Sequence, residues 1–74
     1  MSRLPSLRPR QVVAALERCG FTVLRITGSH YQLFNSRTRR HTTVPYHNRD
    51  LPRGTVNAII QQAGVAREEF LRLL

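Results

Sequence analysis

Apolar residues recur at helical spacing early in the chain. Val12, Val13, Leu16 and Cys19 share one side of a helix over residues 10–19, with Gln11, Glu17 and Arg18 elsewhere. Pro9 suits the first helical position, where its missing N–H costs nothing, and Gly20 can supply the left-handed residue that ends a helix. Residues 1–7 precede this helix as a loose arm. The period then changes. Residues 21–27 and 30–35 are rich in β-branched and aromatic side chains and are separated by Gly28-Ser29. A two-residue loop with glycine first is the signature of a type II′ hairpin. Such a turn sets Thr27 opposite His30, Ile26 opposite Tyr31 and Leu24 opposite Leu33. Leu24, Ile26, Tyr31 and Leu33 would then face a core. Arg25, His30 and Gln32 would share the other face with Val23 and Phe34.

A polar turn over residues 36–40 leads to a third strand near 41–45, whose Val44 can join the core. The loop 46–51 follows. Pro52 can open a second helix, with Asp50 near its positive end. Val56, Ile59, Ile60 and Ala63 form that helix's apolar stripe, and Gly64 stops it. A short terminal helix over 67–74 carries Phe70, Leu71 and Leu74; Ala66 caps it poorly, so its first turn is expected to fray. The order α-β-β-β-α, plus the short final helix, describes one α+β domain spanning residues 1–74. Its three-stranded antiparallel sheet would carry helices on one face and leave the other open.

Composition narrows the function. The 74 residues include 12 basic and four acidic ones, a net charge of +8, and every basic residue is arginine. Arginine's planar fork pairs bidentately with phosphate and stacks on bases, although a GC-rich coding bias would produce the same preference. Placement favours nucleic acid over scattered surface charge. Residues 18–49 contain no acid but hold Arg18, Arg25, Arg37, Arg39, Arg40, Arg49 and all three histidines. The lone Cys19 excludes an internal disulfide and suits a reducing cytoplasm. No apolar run is long enough for a membrane span, and the N-terminus lacks the apolar stretch of a secretory signal. The histidines and the cysteine show no short metal-ligand pairing, so no metal or other cofactor is expected.

RNA cleavage needs a proton taken from the 2′-hydroxyl, a proton given to the leaving oxygen, and cationic support for the phosphorane. Histidine and arginine can supply these. His30 follows a tight glycine turn and lies diagonal to Arg25 on the polar face. Ser29 could donate to a phosphate, and the Gly28 amide is open to close approach. Taken alone, Gly28-Ser29-His30 reads more simply as a surface histidine after an ordinary hairpin. His41, beside Arg39-Arg40, and His47, in a loop, are weaker candidates.

The residues Gly20-Phe21, Arg25 to Thr27, Gly28-Ser29-His30, Val44-Pro45-Tyr46-His47, Leu51, Gly54-Thr55-Val56, Ile59-Ile60, Gln62-Ala63-Gly64 and Glu69-Phe70 together closely resemble the HicA-type mRNA interferase toxins of HicAB toxin–antitoxin systems. The resemblance runs over residues 10–74. It implies a fold like the double-stranded-RNA-binding domain, and a metal-independent endoribonuclease with His30 catalytic. Gly28 would then serve the turn and Ser29 the support of the histidine. Apart from the resemblance, Arg25 and the turn arginines Arg37, Arg39 and Arg40 are the residues expected to hold RNA phosphate. The resemblance also implies an mRNA substrate, growth arrest when the protein is unopposed, and a HicB-type antitoxin covering the active face. The chain departs from the family pattern in carrying arginines where lysines are common. The second proton carrier stays open between water, another residue, and a homodimer bringing two His30 side chains to one RNA. Two rival readings use the same basic face: a non-catalytic RNA-binding module, and a subunit that docks an acidic protein.

Overall fold

A computed structural model describes residues 4–74 of the chain. The elements run α1 (Pro9–Arg18), β1 (Thr22–Thr27), β2 (His30–Asn35), β3 (Arg40–Pro45), α2 (Arg53–Ala63) and α3 (Arg67–Arg72). This is the expected α-β-β-β-α order with a short final helix. The sheet is an antiparallel meander with β2 in the centre. Leu33, Thr42 and Val44 face the helices and are fully buried. Leu33 and Val44 pack with Val12 and Leu16 of α1, Val56 and Ile60 of α2 and Phe70 of α3 in one hydrophobic core. Among the described residues, no helix covers the opposite sheet face.

Local chemistry accounts for the helix ends. Pro9 occupies the first turn of α1, and the Gln11 side-chain carbonyl accepts from the Arg8 amide at 2.9 Å. Gly64 closes α2 in the left-handed conformation at φ 71°. No side chain caps α3 at Ala66. Asp50 does not sit in the first turn of α2. Instead it pairs with Arg8 at 3.6 Å on an exposed surface.

Two expectations fail. The first concerns the loose arm. Its residues 1–3 lie outside the described residues, but Leu4 and Leu7 are core residues, each 5% exposed. Leu7 also forms an antiparallel bridge with Leu51, whose amide donates to the Leu7 carbonyl at 2.6 Å. A domain of this size buries a modest share of its surface, so burying two more leucines adds apolar contact that favours docking of the arm.

The second concerns β1. Thr27 pairs with His30 and Ile26 with Tyr31 as expected, but Leu33 pairs with Val23 rather than Leu24. A bulge between Val23 and Arg25 adds one residue to β1 and reverses the alternation beyond it. Val23, expected on the polar face, therefore packs against the core, while Leu24 is 53% exposed. Ile26 keeps its register yet is 47% exposed, because β1 is an edge strand. Tyr31 is half-buried.

Two buried polar side chains tie the layers together. The Asn35 side-chain carbonyl accepts from the amides of Arg37 and Thr38, at 3.0 and 3.2 Å. Its amide group donates to the Cys19 carbonyl at 3.3 Å, which joins the β2–β3 turn to the end of α1. The Thr42 hydroxyl donates to the Gln62 side-chain carbonyl at 2.6 Å, fixing α2 beside β3.

Candidate functional site

His30 is the first residue of the central strand and pairs with Thr27 on one side and Pro45 on the other. The turn before it has the expected form: Gly28 is left-handed at φ 58° and Ser29 has no positive φ. The Ser29 carbonyl accepts from the Tyr46 amide, so β3 also holds the turn. The backbone under His30 is thus fixed on three sides while its side chain is exposed on the open face. Arg25 pairs with Gln32, two positions along from the Thr27–His30 pair, and so occupies the same face. The open face of β2 continues with Gln32 and Phe34, and that of β3 with His41, Thr43 and Pro45.

Helix α2 borders this face along β3. Between them runs a groove of about 330 Å³ lined by His30, Thr43, Pro45, Thr55, Ala58 and Gln62. The sequence alone assigns no role to Thr43, and Thr55 and Gln62 enter it only among the residues that carry the family resemblance. Strand alternation from Val44 places Thr43 on the open face, and the apolar stripe of α2 leaves Thr55 off it. That α2 lies against the edge of β3 is a tertiary fact.

The other nominated residues are not gathered at His30. The turn bearing Arg37, Arg39 and Arg40 lies at the far end of β2, about 17 Å away at the usual rise per strand residue. Arg39, left-handed at φ 64°, places its guanidinium 5.8 Å from the centre of the Phe34 ring. Arg40 pairs with Asn35, on the helix side of the sheet. Its guanidinium packs so closely on Gly64 that a Cβ there would lie 3.1 Å from Arg40 Cζ. His41 pairs with Phe34, four residues from His30 along the strand. His47 lies in the loop after β3, where its Nδ1 accepts from the Arg49 amide at 3.1 Å. Among the described residues, no three of histidine, cysteine, aspartate or glutamate gather as a metal site. Cys19 is half-buried, and desolvation, with a smaller contribution from Glu69, raises its thiol pKa.

The arrangement offers one exposed, firmly anchored histidine, a neighbouring arginine and an open groove. Residues 9–65 match the family described as "HicA toxin of bacterial toxin-antitoxin". This chain belongs to the HicA toxin family. No curated protein matches it. The family match takes in α1, the whole sheet and α2, and therefore every element that positions His30. It stops before α3, whose Phe70 nevertheless fills the HicA core. A HicA toxin is one half of a toxin–antitoxin pair, so an antitoxin is its partner. Among the described residues, no helix of this HicA protein is long and apolar enough to cross a membrane.

Proposed function

We propose that this HicA toxin is an endoribonuclease that cuts mRNA in the cytoplasm without a metal ion, using His30. The observation that carries the reading is the position of His30. A tight turn and two strand neighbours hold its backbone, and its ring stands free on the open face at the mouth of the β3–α2 groove.

In the reaction His30 takes the proton of a ribose 2′-hydroxyl, and that oxygen attacks the adjacent phosphorus. The bond from phosphorus to the 5′-oxygen breaks, leaving a 2′,3′-cyclic phosphate and a 5′-hydroxyl. The departing oxygen takes its proton from water, from another residue of the chain or from a second copy's His30. Arg25 stabilises the phosphorane charge. Gly28 and Ser29 hold the turn and offer donors to the phosphate. Arg37 and Arg39 contact phosphates farther along the RNA. Arg40, on the helix side of the sheet, is left out of the site. A HicB-type antitoxin silences the toxin by covering the open face, where acidic groups complement the arginines.

The test compares the native protein with His30→Ala on long single-stranded RNA in EDTA. Cutting by the native protein alone, with cyclic phosphate ends, supports the proposal. RNA binding by both without cutting by either would leave a non-catalytic RNA-binding module. Equal cutting by both would move the chemistry away from His30.

A further inference from the structure

Behind the histidine, on the helix side of the sheet, lies a second hollow of about 510 Å³ lined by Arg10, Tyr31, Tyr46, His47 and Asn48. Its two tyrosines are the chain neighbours of the paired residues His30 and Pro45. Strand alternation therefore sets the rings on the opposite face from the imidazole at the same end of the sheet. The rings meet edge to face, with centroids 5.2 Å apart and planes inclined at 72°. That contact uses one ring's edge against the other's face and leaves aromatic surface free. Tyr46 remains 51% exposed. The polar lining is equally specific. Because His47 Nδ1 accepts from the Arg49 amide, its neutral ring carries its proton on Nε2, as a donor. Asn48 brings an amide with both a donor and an acceptor, and Arg10 a cation that can stack or bind phosphate.

We propose that this hollow is a nucleobase subsite. It would hold the base of a nucleotide flanking the phosphate at His30, with the RNA bending around the end of the sheet past Pro45 and Tyr46. Aromatic surface, a cation, and hydrogen-bonding groups suited to a base edge are what single-stranded RNA binding requires. A volume of this order also accommodates a base with room to spare. The inference rests on reading the chain as an RNA-cleaving toxin, and it adds that reading's base contact.

The chain has two tyrosines and no tryptophan, so its intrinsic emission comes from Tyr31 and Tyr46 alone. The native protein is titrated with a short 2′-O-methyl oligoadenylate, which lacks the attacking hydroxyl and survives intact. Tyrosine emission is expected to fall, and an abasic oligomer of the same length is expected to leave it unchanged. Tyr46→Ala should weaken oligoadenylate binding about tenfold, the usual cost of losing one stacked base, whereas Tyr46→Phe should bind as the native protein does. Unchanged emission, equal quenching by the abasic oligomer, or native affinity in Tyr46→Ala would each overturn the subsite. Cleavage of unmodified RNA is scored separately. Base-dependent quenching without His30-dependent cutting keeps the subsite and removes the nuclease; cutting without quenching does the reverse.

Discussion

The backbone amide of Tyr46 is hydrogen-bonded to the carbonyl of Ser29, so the residue leaving β3 holds the turn that presents His30. All three strands converge on that turn: Thr27 ends β1, His30 begins β2, and Pro45 ends β3 beside it. The imidazole itself is exposed. Its Cα is positioned by the same hydrogen bonds that hold the sheet together, so an exposed side chain is carried on a rigid backbone.

That relationship makes the turn glycine a sensitive position. Gly28 is left-handed, and a Cβ added there would touch nothing within 4 Å, so its substitution is a test of backbone strain alone. Gly28→Ala should cost about 1–2 kcal/mol and lower the melting temperature by roughly 4–8 °C per kcal/mol in a domain of this size. RNA cleavage should fall with it. A variant that melts like the native protein would show that the turn relaxes without strain.

The buried polar ties should rank by the number of partners each loses. Asn35→Ala removes three hydrogen bonds at a side chain only 3% exposed. A loss of about 2–3 kcal/mol is expected in chemical denaturation. Thr42→Val preserves shape and removes one donor, and Gln62 is exposed enough to turn to water. Its cost should be about 1 kcal/mol. Reversal of this order would count against the role of Asn35 in joining the β2–β3 turn to α1.

The arginines should separate into two kinds. Arg25→Gln should lower kcat while barely changing stability, because Arg25 shares a face with His30. Arg37→Gln, about 17 Å away, should leave kcat intact. It should instead reduce the slope of log affinity against log salt by roughly 0.7, the share of one phosphate contact on a single strand. Equal losses of kcat in both variants would refute the division.

Cys19 offers a chemical check on burial. Its raised pKa leaves less thiolate at neutral pH, and thiolate is the form that reacts. Alkylation of the folded protein at pH 7 should therefore be slower than alkylation of the urea-unfolded chain. The difference should shrink as the pH is raised toward the folded thiol's pKa. Equal rates in both states would mean that the end of α1 is open to solvent.

Much of this architecture was legible in order along the chain. The apolar stripe of α1, the Gly28-Ser29 turn, the stripe of α2 and its stop at Gly64 were readable because each depends on residues within a few positions of one another. The same local logic placed His30 and Arg25 together on the face away from Leu33. The exchange of Val23 for Leu24 was not readable, since one bulged residue on an edge strand reverses the alternation and leaves no mark in the pattern. Nor was the docking of Leu4 and Leu7, since Leu7 pairs with Leu51, far away in the sequence. Only the tertiary structure set Arg40 against Gly64, laid α2 along β3 to form the groove, and brought Arg10 to Tyr31 and Tyr46. Periodicity and turn chemistry are local interactions and are written in neighbouring residues. Which surfaces meet is decided by packing among elements far apart in the chain, and the site's shape follows from that packing.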